Sequence, residues 1–296
     1  MSKVAALFPG QGSQFVGMAR ALYDSNTEVQ RWFDRSNEIL GIGLKELMFE
    51  GPIEALTKTE FTQPAIFLHS VAAYFASGMS PDMVAGHSLG EFSALVAAGV
   101  LSFEEGLQVV RLRGQHMQHA GEVNPGAMAA VIGMDDAKVE AICEQVTASL
   151  SKPVVAANYN CPGQLVISGD VEAVEQAMTL LKEAGCRLVK RLVVSGAFHS
   201  PLMLDAYEPL AKALEKSTFH PARVPVYANY TATSTTDPLT IKENLLNQLL
   251  HPVRWTQSLL HMHQDGATSF VEVGPGTVLK GLVQRTLPDV TVTSIS

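Results

Sequence analysis

Charge is scarce in this chain: Asp, Glu, Lys and Arg make up 17% of 296 residues, against 47% hydrophobic. That balance excludes a disordered chain and supplies a sizeable core. The length allows one large domain, or a large one carrying a smaller insertion. What charge there is leans acidic, with 21 basic against 29 acidic side chains and a net of -8. Nucleic acid is therefore excluded as the main partner, and an acidic protein partner would have to dock on a local basic patch. Cysteine is rarer still. Cys143, Cys161 and Cys186 are odd in number and lack metal-ligand spacing, which argues for reduced, mostly buried thiols of a cytoplasmic protein. No apolar run reaches the ~20 residues of a membrane span, and residues 1–8 run straight into a motif with no signal-peptide organisation. Membrane insertion and secretion are both disfavoured.

What is present centres on residues 81–98. Met83, Val84 and Ala85 predict a short buried strand, and residues 90–98 an Ala/Leu/Val-rich helix that stops at Gly99. Between them Gly86-His87-Ser88-Leu89-Gly90 forms a G-x-S-x-G turn with a strand before it and a helix after it. Side chains at the two glycines would collide with neighbouring backbone, and the turn thrusts Ser88 out where a substrate can reach it. Helix N–H groups just after Ser88 are free to bind an anion. A plain strand–helix connection with a serine cap is the bland alternative.

Upstream, residues 4–8 are of strand length and end in Pro9-Gly10-Gln11-Gly12-Ser13-Gln14. The dinucleotide fingerprint fails here because Phe15 stands at the third glycine. A turn so rich in glycine can instead bring a backbone N–H, such as that of Gln11, against another loop. Residues 19–47 are helical in pattern, with Trp32, Phe33, Ile39 and Leu40 as core candidates. Another helix starts at residues 61–66, with Pro64 in its first turn. Ser102 with Glu105 makes a capping box for a helix running to about Ala120. At about 100° per residue, Phe103, Leu107, Val110 and Met117 share one face of it. Arg113 lies on the edge of that face, while Arg111 and His116 point away. A guanidinium near apolar surface needs an anionic partner, either a nearby Asp or Glu or a substrate carboxylate.

Beyond Pro125 the texture changes. Residues 127–132 read as strand, 135–150 as helix, 154–157 and 165–168 as strands, 171–184 as helix and 187–194 as strand. That order, βαββαβ, is the split βαβ arrangement. A small ferredoxin-like domain over residues 124–195, inserted into a larger α/β domain, is the expectation. Ser195-Gly196-Ala197-Phe198-His199-Ser200-Pro201 then returns the chain. His199 is one of nine histidines, but it follows a strand, sits in a Gly/Ser/Pro turn and comes after the serine in chain order, as in α/β-hydrolase-like sites. No other histidines form a metal site: His261 and His263 diverge on a helix, and His116 with His119 lacks carboxylate or thiol company. Gln248 reads by default as a solvated helix residue. Residues 253–262 read as helix, and Gly274-Pro275-Gly276 as the opening of the last one.

Taken together, Phe8-Pro9-Gly10-Gln11-Gly12-Ser13-Gln14, Thr62-Gln63-Pro64-Ala65, Gly86-His87-Ser88-Leu89-Gly90-Glu91, Arg113, Asn158-Tyr159-Asn160, Gly196-Ala197-Phe198-His199-Ser200 and Val273-Gly274-Pro275-Gly276 resemble the malonyl-CoA:acyl carrier protein transacylases of type II fatty-acid synthesis. The resemblance spans nearly the whole chain. It implies an α/β-hydrolase-like catalytic domain over residues 1–123 and 196–296, with the ferredoxin-like domain at 124–195 inserted. Carried over residue by residue, it implies Ser88 as nucleophile, His199 as general base, the N–H groups of Gln11 and Leu89 as oxyanion hole, and Arg113 as the binder of the malonyl carboxylate. Gln248 would orient His199, a main-chain carbonyl near it taking the place of a third triad carboxylate. Ala197-Phe198-His199 resembles the malonyl-selecting form, Phe198 crowding an α-methyl group.

No cofactor or metal is implied: malonyl-CoA is a substrate, and the phosphopantetheine arm belongs to the holo acyl carrier protein. The expected enzyme is a cytoplasmic monomer. An acidic carrier is expected to dock near Arg187, Lys190 and Arg191. The competing readings are a trans-acting acyltransferase of a polyketide synthase, a serine thioesterase or esterase, and a degenerate docking domain.

Overall fold

The structure, a computed structural model, describes residues 2–296. Its strands fall into two sheets. The larger is built from β1 (Lys3–Phe8) and β2 (Met83–Gly86), and later β7 (Val226–Tyr227), β8 (Ser234–Thr235), β9 (Ala267–Val273) and β10 (Thr291–Ile295). The smaller contains β3 (Gly126–Ile132), β4 (Val154–Cys161), β5 (Gln164–Asp170) and β6 (Leu188–Arg191).

The larger sheet has the order β10-β9-β1-β2-β7-β8 and is parallel except for the β7–β8 pair. Parallel sheets are covered on both faces, and β1 follows that rule. Ala6 and Phe8 join the core that contains the helices Thr59–Ser77 and Phe103–Val123, whereas Ala5 and Leu7 join a second core with Trp255, Leu259, Leu279 and Leu282. The two-residue side-chain period of a strand divides one hexapeptide between two cores.

The smaller sheet is antiparallel, in the order β4-β5-β3-β6, and packs a core of its own against the helices Asp136–Leu150 and Val171–Glu183. It is laced to the larger part where the Tyr159 N–H donates to the Val253 carbonyl at 2.9 Å and the Val253 N–H to that of Ala157 at 2.9 Å.

Three expectations need correction. The helix holding Pro64 begins at Thr59, so the proline sits inside it rather than in its first turn. A proline there cannot donate to the carbonyl four residues back, that of Glu60. Arg111 takes up this carbonyl with a guanidinium N–H, its side chain lying over the Phe61 ring rather than pointing free. The helical stretch expected over residues 19–47 breaks into Arg20–Ser25, Thr27–Leu40 and Leu44–Glu50. Asn26 caps the second piece by accepting from the Glu28 and Val29 N–H groups, and Gly41, at φ 63°, terminates it in the left-handed region. Of its core candidates only Phe33 is fully buried; Trp32, Ile39 and Leu40 are half-buried against the core. Finally, β6 stops at Arg191 rather than at Val194; beyond it the Leu192 N–H still donates to the Met128 carbonyl of β3 at 2.9 Å.

Candidate active site

In open parallel sheets the loops beyond the carboxyl ends of the strands face the ligand crevice. β1 and β2 end in register, Phe8 beside Gly86, so the Gly10-Gln11-Gly12 loop and the Ser88 turn lie against each other. How closely they approach explains the glycines. A Cβ on Gly86 would lie 1.9 Å from the carbonyl carbon of Gly90, one on Gly90 would lie 2.0 Å from the Phe8 oxygen, and one on Gly10 would lie 2.4 Å from the His87 oxygen. No side chain fits at any of the three. Ser88 itself is held at φ 52° and His199 at φ 57°. Both are in a region costly to residues with a Cβ, and strain of this kind gathers at functional sites.

The strained turn is tied down from behind. The Ser88 N–H donates to Asn229 Oδ1 at 2.6 Å, and Asn229 Nδ2 donates to the Gly86 carbonyl at 2.7 Å. In front, Ser88 Oγ lies 2.8 Å from His199 Nε2, while His199 Nδ1 lies 2.8 Å from the main-chain oxygen of Gln248. The carbonyl can only accept, so Nδ1 carries the proton and Nε2 presents its lone pair to the serine hydroxyl. Burial, with the Arg113 charge adding to it, lowers the His199 pKa to about 3. The imidazole is thus neutral throughout the physiological range, with the Nε2 lone pair free to accept a proton.

Arg113 projects from the third turn of the helix Phe103–Val123, whose start is fixed by the Ser102–Glu105 capping box. It is 1% exposed. Nη1 donates to Gln63 Oε1 at 2.8 Å, and Nη2 donates to Gln248 Oε1 at 3.0 Å and to Ser88 Oγ at 3.2 Å. Nε has no partner among the described residues, and the guanidinium carbon lies 5.6 Å from the centroid of the Phe92 ring. No carboxylate is within ion-pair distance of it among the described residues. Of the two partners open to it on sequence grounds, the direct Asp or Glu contact is not made.

These groups open into a cavity of about 270 Å³ between the two sheets. Gln11, Leu89 and Phe198 border it beside Ser88, Arg113 and His199, and Met128 and Val166 of the smaller sheet form the opposite apolar wall. Neither the main-chain N–H of Gln11 nor that of Leu89 donates to an acceptor among the described residues, which leaves both N–H groups available to an anion. The chain thus brings together Ser88, His199, Arg113, Gln248, Gln11, Leu89 and Phe198. Gln248 is fully buried rather than solvated, and it contributes its side-chain amide as well as its carbonyl.

Arg187, Lys190 and Arg191 lie elsewhere, exposed on and beside edge strand β6, where Arg191 is paired with Glu175 at 2.6 Å. Sequence reasoning assigned no role to Asn229, Gln63 or Glu91. Asn229 carries no local signal, and Gln63 figures only within the Thr62-Gln63-Pro64-Ala65 stretch of the resemblance, without a role. Glu91 does carry one: it is the only Asp, Glu, Lys or Arg between Asp82 and Glu104, and it is 1% exposed.

Among the described residues no group of three or more His, Cys, Asp or Glu is placed to hold a metal ion, and no helix is long and apolar enough to cross a membrane.

Comparison with known proteins agrees with this geometry. Residues 6–295 match the acyl transferase domain family. The malonyl CoA-acyl carrier protein transacylase of Bacillus subtilis (strain 168) is 46% identical over 96% of this chain and 90% of its own length. That of Staphylococcus aureus (strain MRSA252) is 41% identical over 100% of this chain and 96% of its own. Among solved structures, an acyl carrier protein S-malonyltransferase from Vibrio cholerae superposes with a TM-score of 0.96 at 41% identity, covering 100% of this chain and 97% of that one. A malonyl-transacylase in complex with a type II PKS acyl-carrier protein superposes at 0.94 and 38% identity, covering 99% and 95%. With nearly its whole length matched and a serine, an imidazole and a guanidinium converging on one cavity, the chain belongs to the acyl transferase domain family, as one of its malonyl CoA-acyl carrier protein transacylases.

Proposed function

We propose that this chain moves the malonyl group from malonyl-CoA to the phosphopantetheine thiol of acyl carrier protein, through a malonyl ester on Ser88. The observation that carries the reading is the position of Arg113: its Nη2 lies 3.2 Å from the same hydroxyl that His199 Nε2 meets at 2.8 Å. A buried cation beside a nucleophile suits an acyl group with a carboxylate at its far end, and planar guanidinium pairs with carboxylate in two parallel bonds.

The chemistry runs on the chain's own groups and two substrates. As Ser88 Oγ attacks the thioester carbonyl, its proton passes to His199 Nε2, and the imidazolium is held by the Gln248 carbonyl. The Gln11 and Leu89 amides receive the oxyanion, each such donor contributing about 2.7–4 kcal/mol. Collapse of the tetrahedral intermediate breaks the C–S bond, and the imidazolium proton leaves with coenzyme A. The carrier thiol then attacks the ester by the reverse sequence, giving ping-pong kinetics. Phe198, beside His199 in the cavity wall, would crowd an α-methyl group.

We read the larger lobe as α/β-hydrolase-like and residues 124–195 as a ferredoxin-like insertion, supported by the βαββαβ order and the β4-β5-β3-β6 sheet. The three free thiols support a reducing compartment such as the cytoplasm, and we place the enzyme there as a monomer. Hydrolysis to free acid is the less favoured outcome, given the likeness over nearly the whole chain to malonyl CoA-acyl carrier protein transacylases. A polyketide carrier as acceptor is a second reading, favoured by the likeness to the complex with a type II PKS acyl-carrier protein.

Intact-mass spectrometry after brief exposure to malonyl-CoA, acetyl-CoA and methylmalonyl-CoA in turn tests the donor half. A malonyl adduct lost in Ser88→Ala is expected; equal labelling by acetyl-CoA would sink the malonyl assignment. Adding a holo carrier of fatty-acid or polyketide type should then discharge the adduct onto that carrier rather than to water.

A further inference from the structure

Arg113 has a counter-anion that it does not touch. Glu91, in the first turn of the helix Gly90–Ala97, accepts from Gln248 Nε2 at 2.8 Å and from the Asn229 N–H at 3.0 Å, both on Oε2. The other end of the same Gln248 amide, Oε1, accepts from Arg113 Nη2 at 3.0 Å. A neutral amide therefore bridges a buried carboxylate to a buried guanidinium, and its orientation is dictated by the two charges: N–H toward the anion, oxygen toward the cation. Gln248 Nε2 also donates to the Ser88 carbonyl at 3.0 Å, so the bridge lies directly behind the nucleophile.

Isolated charges are costly in such surroundings, and each of these two is stabilised by the other. The substrate disturbs that balance. A malonyl carboxylate arriving at Arg113 places two anions against one cation, and the resident one can shed its charge by taking a proton.

We propose that Glu91, acting through the Gln248 side chain, is a positioning residue for malonyl selection: it holds Arg113 in place in the free enzyme and takes up a proton when the substrate carboxylate replaces it as the partner of that guanidinium. This inference rests on the malonyl-transfer reading.

Direction and size agree with it. Burial raises the Glu91 pKa to about 7, against the opposing pull of the Gln248 and Asn229 hydrogen bonds and of the Arg113 charge. Diverting part of the Arg113 field to a substrate carboxylate raises it further, so malonyl binding is linked to proton uptake near neutral pH.

Other titratable groups packed around this helix do not compete. From the Thr59–Ser77 helix, the Tyr74 hydroxyl donates to the Ala97 carbonyl at 3.4 Å and His69 faces Ser296 at 3.4 Å. His87, in the turn before it, faces Asn160 at 2.8 Å, and burial lowers its pKa; His199 is driven far below neutrality.

The reaction itself makes the test clean. Forming the serine ester and releasing coenzyme A as its thiol consumes no net proton, so uptake from the medium belongs to the protein. Weakly buffered wild-type enzyme with a pH-indicator dye would be mixed at pH 7 with malonyl-CoA or acetyl-CoA, and the ester counted by intact mass. About half a proton taken up per malonyl ester, with much less per acetyl ester, is expected. In Glu91→Gln the excess should vanish, and the several-fold rise in KM for malonyl-CoA expected between pH 6 and pH 8 should flatten. Equal uptake with both donors in the wild type, or an excess that survives in Glu91→Gln, overturns the inference. The wild-type comparison stands alone if the variant does not fold. Absence of any malonyl ester would overturn the transfer reading with it, whereas an ester formed without excess uptake overturns this inference only.

Discussion

In the malonyl-transfer reading Arg113 decides specificity, because its side chain is buried and makes only neutral hydrogen-bond partners directly. Each charge-assisted bond to a substrate carboxylate contributes about 1.5–3 kcal/mol, and acetyl-CoA can form none. Arg113→Ala should therefore lower kcat/KM for malonyl-CoA by about 10²-fold or more while acetyl transfer changes far less. Steady-state assays with both donors check this; equal losses would make Arg113 merely structural. His199 makes a second, independent prediction. An ordinary imidazole titrates near about 6.5 and would be mostly protonated at pH 5. Because the His199 pKa is lowered to about 3, its neutral form persists there, and the acid limb of kcat/KM for acylation should lie well below pH 5. Coenzyme A release followed from pH 4 to pH 8 by rapid quench checks this: no inflection at about pH 6.5 is expected, and one there would overturn it.

Among the elements, the glycine loop after β1 is held to the serine turn by backbone contact rather than by side chains. Its distance from His87 fixes where the Gln11 amide points. Gly10→Ala would place a Cβ 2.4 Å from the His87 oxygen, and since both partners are main chain the loop must move. An oxyanion donor displaced in this way costs about 10²–10³-fold in rate. That loss is expected in acylation and deacylation alike, at a melting temperature within a few degrees of the wild type, as circular dichroism would show. The Arg113 helix illustrates the opposite case. Its start was legible from Ser102 and Glu105, because a capping box is a local signal, and both its hydrogen bonds are formed.

For the molecule as a whole, several elements meet at one cavity: Ser88 follows β2 of the larger sheet, Arg113 comes from the helix Phe103–Val123, His199 from the loop after β6, and the smaller sheet closes the cavity with Met128 and Val166. β6 lies at the open edge of that smaller sheet, carrying Lys190 and Arg191 before residues Leu192 and Val194 of the cavity lining. We propose this edge as the docking site of an acidic carrier, a reading supported by the nearness in sequence of Lys190 and Arg191 to those lining residues. Reversing Arg187 and Lys190 to Glu should raise KM for carrier several-fold and leave serine acylation by malonyl-CoA intact, since steering charges act on encounter rather than on chemistry. An unchanged constant would exclude the edge. Arg191 is the weaker choice for such a test because Glu175 already neutralises it.

Much of this protein was determined by sequence alone, wherever the determinant is local. Gly86, Ser88 and Gly90 require an elbow because two Cβ atoms cannot fit in it, hydrophobic period separates β1 from the helices, and the βαββαβ succession marks the smaller lobe. Tertiary structure alone decided what depends on long-range approach. Gln248 looked like a solvated helix residue, yet it is buried 160 positions from Ser88 in sequence and bridges Arg113 to Glu91. Asn229 gave no sign that its amide would hold the Ser88 N–H. A neutral polar side chain takes its role from the charges that fold against it, and no stretch of sequence states which charges those will be.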